Sequence, residues 1–168
     1  FLIKLSGYSL MFNYKVPNLE DNDIKVNIEK AKKSKRLRHP LILHKKGDKF
    51  NQVFNFILKN SYMKPHLHPG TVRTEKMHLI KGSFELLIFD DNGEIIERDL
   101  IASDKKDYVE VPPFTWHTYV MKSETTIIYE TMMGIYHPNT WKKLAPWAPD
   151  EDSLEANSYL NKLRNKNE

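Results

Sequence analysis

Four residues have the types and spacing to hold a metal ion: His66 and His68, Glu75 seven residues beyond, and His117 far downstream. Side chains two apart in a β-strand project from the same face, so His66 and His68 point together and both imidazoles reach one ion. The run Pro69-Gly70-Thr71 is a turn signal, and a reversal there carries Glu75 into the neighbouring strand, facing the pair. His117 follows Pro112-Pro113 at the start of another strand-like run, with Tyr119 and Met121 as its inward-facing companions. Three neutral imidazoles and one carboxylate suit a single divalent ion, Fe, Mn, Ni, Co or Zn, and the sequence does not choose among them. Cysteine is absent, which removes disulfides, thiolate metal sites, iron–sulfur ligation and thiol nucleophiles.

Further candidates surround this set. His44, after Leu41-Ile42-Leu43, reads as a core histidine satisfied by a hydrogen bond or as a donor or acid/base group near the ion. Glu130 sits in the apolar run Ile127–Thr131, where an unpaired carboxylate is costly to bury; it either faces solvent by alternation or is paired inside. Tyr119 joins His44 and Glu130 as a catalytic candidate. Gln52, Tyr129 and Arg73 are the candidates for substrate contacts, the first two through hydrogen bonds to hydroxyls and Arg73 through an anionic group. His78 alternates out of phase with Glu75 and is expected to face away from the ion.

The elements that must position these residues are mostly strands. Residues 22–34 lack Gly and Pro and place Ile24, Ile28 and Ala31 on one helical stripe behind the candidate caps Asp21 and Asn22. After Pro40 the texture changes to short runs of Val, Ile, Phe, Tyr and Thr broken by turn residues, the pattern of a sandwich or barrel. Expected strands are 41–44, 52–59, 62–68, 76–80, 83–90, 94–101, 108–111, 115–121 and 125–131, with a two-residue type I′ hairpin at Asn92-Gly93. A Pro- and Trp-containing arm over 136–149 should wrap the sheet, and a last helix follows from about Ser153, where Asp152-x-x-Glu155 suggests a capping box. The 168 residues then form a single domain: an N-terminal helix and lead-in strand over 13–50, a barrel over 51–134, and an arm and helix over 135–168. Residues 1–12 read as an upstream remnant or a disordered segment, with Met11 a candidate native start. No run approaches the roughly 18 apolar residues of a membrane span, and no export signal is read, so a cytoplasmic location away from membranes is expected.

The formal charge of +4 is concentrated between Glu29 and Lys49. The aromatics are not interleaved with this stripe as a stacking surface requires, which argues against nucleic acid. It reads as a solvated helix face and loop, with a patch for an anionic small molecule as the second reading.

The spacing His-x-His, six residues, Glu75, six residues, Gly82, followed by Pro112-x-x-x-x-His117, resembles the two motifs of the cupin superfamily. Arg36-Leu37-Arg38-His39, the run 87–91, Pro113-x-Thr115-Trp116-His117-Thr118 and the tail Ala145-Pro146-Trp147-Ala148-Pro149 resemble the WbuC-type cupin-fold metalloproteins associated with bacterial surface-polysaccharide clusters, over about residues 13–163. The resemblance implies an all-β, cupin-type double-stranded β-helix (jelly-roll barrel) with a helix at each end. Its metal ligands would be His66, His68, Glu75 and His117. The implied ligand is a carbohydrate or nucleotide-sugar, and the implied activity an isomerase- or epimerase-like proton transfer. The alternatives are an Fe(II)-dependent dioxygenase and a non-catalytic metal-dependent sugar-binding module; a homodimer is expected. Two features depart from the family pattern. Phe114 stands where the second motif usually has Gly, which should alter that turn and makes His117 the weakest of the four. The gap from His68 to Glu75 is also longer than usual, so the loop carrying Arg73 should overhang the site.

Overall fold

The computed structural model describes residues 15–165; the expected remnant at 1–12 lies outside them. Among the described residues ten strands, all paired antiparallel, form two five-stranded sheets. The first sheet runs in the order β1 (Arg38–Ile42), β2 (Phe50–Leu58), β9 (Thr125–Met133), β4 (Glu75–Lys81) and β7 (Tyr108–Val111). The second runs β10 (Lys143–Leu144), β3 (His66–Leu67), β8 (Trp116–Met121), β5 (Ser83–Phe89) and β6 (Ile95–Ala102). Two sheets with these crossovers make the double-stranded β-helix expected from the sequence.

Strand alternation sorts side chains between the interior and two outer layers. Met77, Phe84, Leu86, Ile101, Val111, Met121 and Ile128 fill the closed part of the interior. On the outer face of the first sheet, Phe54, Phe56, Ile127 and Tyr129 pack beneath helix α1 (Asp21–Lys33), which contributes Ala31, Ile24 and Ile28. On the outer face of the second, Leu67, Leu87, Phe89, Trp116 and Val120 are covered by the arm and by helix α2 (Ala156–Arg164) through Ala145, Ala148, Leu160 and Leu163. Neither helix among the described residues is long and apolar enough to cross a membrane.

Several local expectations are corrected. The run 62–68 is strand only at His66–Leu67, because Pro65 has no N–H for a ladder and Tyr62 turns outward against Tyr159 of α2. The lead-in strand begins at Arg38 and carries Pro40, which is tolerated because β1 is a sheet edge. At Asn92-Gly93 the connection is wider than a type I′ turn. Asp90 Oδ1 accepts from the N–H groups of Asn92 and Glu94, and Gly93 alone takes a positive φ, +91°. A Cβ at Gly93 would also lie 2.6 Å from the Trp147 ring, so the arm packs where only glycine fits. Neither helix has a side-chain cap: α2 starts at Ala156 after the turn closed by Ser153 N–H on Asp150 O, and the expected capping box does not form.

Candidate metal centre

His66 lies directly opposite His117 in the β3–β8 ladder, and Glu75 opens β4 in the facing sheet. One nitrogen or oxygen from each of His66, His68, Glu75 and His117 lies within 4.8 Å of all the others, and all four residues are buried. Donors held at roughly 2.0–2.2 Å by one ion stand about 3–4 Å apart, so small shifts close this spread.

The histidine orientations are set by backbone carbonyls. Nδ1 of His66 lies 3.1 Å from Lys64 O, that of His68 2.9 Å from Trp141 O, and that of His117 2.9 Å from Thr115 O. An Nδ1–H donating to each carbonyl directs each Nε2 inward, the arrangement that supports histidine ligands in metalloproteins; at His117 a proton lies between Nε2 and Glu75 Oε2, which a metal ion would displace. His117 Nε2 is 2.8 Å from Glu75 Oε2, while His68 Nε2 is 3.6 Å from the same oxygen and has no hydrogen-bond partner. A buried ring nitrogen without a partner, aimed at a carboxylate and two further imidazoles, fits a cation better than a packed core. The other carboxylate oxygen, Oε1, accepts from the Tyr119 hydroxyl at 2.6 Å.

The local charges agree with this donor set. Burial holds His66 neutral, well below the ordinary imidazole value, with the nearby His117 and Lys142 adding to the effect. Burial alone would raise Glu75, but the hydrogen bond and charge of its imidazole neighbours outweigh it and hold the carboxyl well below its usual range. Burial also raises Tyr119 and Glu130, and the charge of Glu75 adds to both.

The group opens into a cavity of about 330 Å³ lined by His44, Asn51, Asn55, Glu130, Trp141 and Lys142 among others, with Arg36 and Arg38 in its wall. A larger groove of about 740 Å³ between the arm and α2 contains none of these residues. Glu130 faces inward with Oε2 accepting from Asn55 Nδ2 at 2.7 Å, and Tyr119 also lines the cavity. His44 is at the wall, its Nδ1 accepting from the Gln52 N–H at 3.0 Å. Arg38 is neutralised by a two-pronged bond to Glu151 at 2.7 and 2.6 Å.

Three placements differ from expectation. Gln52 and Tyr129 bond to each other at 2.8 Å, and Tyr129 belongs to the layer beneath α1. Period 2 puts Asn51, Val53 and Asn55 on the inner face of β2 and Gln52 on the other. Arg73 does not line the cavity; its guanidinium bonds the Thr140 carbonyl and stacks 4.9 Å from the Trp141 ring centre. It therefore pins the arm whose Trp141 carbonyl orients His68. Phe114 takes the left-handed conformation, φ 61°, and its N–H donates to His68 O at 3.1 Å. The turn that made His117 the weakest of the four thus ties its strand to His68. His78 faces away, stacked on Tyr108.

Sequence reading missed Asn55 and Lys142. Asn55 was detectable as a second polar residue in phase with Asn51, whereas Lys142 lies in an irregular arm and gives no periodic signal.

A family model described as "Domain of unknown function (DUF6016)" matches residues 19–101, a little under half of the chain, and spans His66, His68 and Glu75 but not His117. No curated protein matches. Among solved structures the chain is similar to protein SO0799 from Shewanella oneidensis, with 8% identity, 64% of this chain and 72% of that one covered, and a TM-score of 0.50. It is also similar to an uncharacterized conserved protein with a double-stranded β-helix domain from Klebsiella pneumoniae subsp. pneumoniae (17% identity, 64% and 80% covered, TM-score 0.49). A third likeness is to a cupin 2 conserved barrel domain protein from Rhodopseudomonas palustris (13% identity, 74% and 72% covered, TM-score 0.47). At 8% identity the first of these likenesses speaks to fold alone. Sheet order and the inward His-His-Glu-His group together define the class: a cupin-type barrel with a buried group able to bind a metal ion.

Proposed function

We propose that this chain is a divalent-metal-dependent isomerase or epimerase acting on a sugar or nucleotide-sugar intermediate of bacterial surface-polysaccharide biosynthesis. The observation that carries the reading is the convergence of three carbonyl-oriented imidazoles and Glu75 at the floor of a cavity that also presents a carboxyl group, Glu130. The resemblance to WbuC-type proteins supplies the substrate class. A divalent ion held by His66, His68, Glu75 and His117 would polarise a substrate carbonyl and favour loss of the proton beside it. Glu130, steadied by Asn55, is placed to hold or return that proton at its carboxyl group, and Asn51 and His44 line the space a hydroxylated chain would occupy. Tyr119 fixes the Glu75 carboxylate rather than meeting substrate.

Two measurements test this. Purified protein should contain stoichiometric metal, and the His66→Ala/His68→Ala double variant should lose it; metal retained by the variant would sink the centre. Incubation with a keto-sugar and nucleotide-sugar panel in D2O should place deuterium on a substrate carbon without oxygen, and Glu130→Gln should slow this roughly 10²-fold or more with metal content unchanged. A requirement for oxygen would favour a dioxygenase, and binding without exchange a sugar-binding module.

A further inference from the structure

Lys142 is a cation the chemistry above leaves unused. It follows Trp141, whose carbonyl faces His68 Nδ1, and precedes β10, so the chain on both sides of it is tied to β3. Lys143 pairs with Leu67 and turns outward, its ammonium 5.8 Å from the centre of the Trp116 ring. Alternation then turns Lys142 inward, and it lines the cavity with His66 and Glu130. Among the described residues its ammonium has no hydrogen-bond or ion-pair partner. The surrounding acids are engaged elsewhere: Glu75 with His117 and Tyr119, Glu130 with Asn55, and Glu151 with Arg38. Arg36, also in the cavity wall, has no carboxylate partner among the described residues. A divalent ion would add two positive charges against the single negative charge of Glu75.

We propose that the ligand of this cavity is anionic, a small hydroxy- or keto-compound whose carboxylate or phosphate is bound by Lys142, with Arg36 at the same wall. Its oxygen-bearing end then faces His66, His68, Glu75 and His117. This rests on the metal reading above and narrows it from carbohydrates in general to acidic ones. A neutral sugar would leave the half-buried Lys142 without an anionic partner in the cavity. Burial disfavours the charged ammonium of Lys142, and an oxyanion beside it reverses that cost.

The test uses the full chain loaded with Co2+, its cobalt content measured first, then titrated calorimetrically with matched probes: glucose against glucuronate, and fructose against fructose 6-phosphate. The charged member of at least one pair should bind about tenfold tighter or better, and comparing the two pairs separates carboxylate from phosphate. Lys142→Met should abolish the preference with cobalt content unchanged, and Lys142→Arg should keep most of it; Lys142→Gln gives the same reading if the Met variant does not fold. Equal affinity within both pairs, binding of no probe, or an undiminished preference after loss of the ammonium overturns the proposal and leaves the metal centre standing. Absence of cobalt from the wild-type protein overturns the metal reading, and this proposal with it.

Discussion

At the scale of single residues, the centre is governed by what holds each donor rather than by the donors alone. Tyr119 gives its hydroxyl proton to Glu75 Oε1, and burial together with the Glu75 charge keeps that proton on the phenol. Glu75 is thereby oriented with Oε2 toward His117 and His68. In Tyr119→Phe a buried carboxylate oxygen loses its donor, at a cost of about 1–3 kcal/mol, and the carboxylate is free to rotate. Co2+ affinity measured by competition with a chelator should fall roughly 10–100-fold while circular dichroism stays unchanged; an unaltered affinity would show that Tyr119 does not position Glu75. Three of the donors were readable in the sequence because period 2 within a strand brings His66 and His68 together and one turn signal returns Glu75 to them, whereas His117 joined the set through the resemblance of Pro112-x-x-x-x-His117 to a second motif. Gln52 and Tyr129 were misread because both faces of their sheet are buried, so alternation gives two inner-looking faces and does not say which one holds the cavity. Arg73 was misread because its partners are carbonyl oxygens of an arm 67 residues away, a contact that leaves no mark on composition.

At the scale of elements, the turn between β7 and β8 shows a local rule giving way to tertiary structure. Phe114 adopts φ 61°, a conformation that costs an L-residue about 1–2 kcal/mol, and the residue is 57% exposed. What the turn gains is the bond from its N–H to His68 O, which ties the strand carrying His117 to the strand carrying His66. In Phe114→Gly that N–H stays and the strain is removed, partly offset by the greater freedom of glycine in the unfolded chain. The net expectation is a gain of roughly 0.5–1 kcal/mol, read as a higher urea midpoint with metal content unchanged. A lower midpoint would mean that the Phe114 ring contributes more than its strain costs. The existence of nine of the ten strands and of both helices was legible because their periodicity is strong, whereas the two-residue β10 lies inside the stretch read as an arm and is too short to show a period. The Asn92-Gly93 connection and the start of α2 were less so, since Asp90 and the turn after Asp150 compete for the same backbone groups through bonds that residue type alone does not rank.

At the scale of the whole molecule, closing a barrel on both faces fixes the sign of its acid response. Burial is the leading cause holding His39, His66 and His78, three of the seven histidines, below the ordinary imidazole value. In the unfolded chain these rings take up protons below about pH 6.5, whereas in the folded protein they resist doing so. The unfolded state therefore binds more protons there, and stability falls as pH drops from neutrality through that range. Glu75 reinforces the trend at lower pH: it is held below its usual range, so its contribution is present above the ordinary carboxylate value and lost on acidification. Glu130 has the opposite sign, because a carboxyl raised by burial and by Glu75 stabilises the fold at acid pH and loses that contribution as pH rises. Glu130 opposes the three histidines over the same range, so its replacement by Gln isolates their slope between about pH 5 and pH 6.5. The growing positive charge of a chain already at +4 acts in the same direction. The thermal midpoint of chelator-treated Glu130→Gln protein should accordingly fall from about pH 6.5 to about pH 5, and its Co2+-loaded form should fall more steeply because protons also displace the ion from its imidazoles. A midpoint that is flat or rises on acidification would show that the folded protein takes up protons as readily as the unfolded chain, against the burial that builds both the core and the centre.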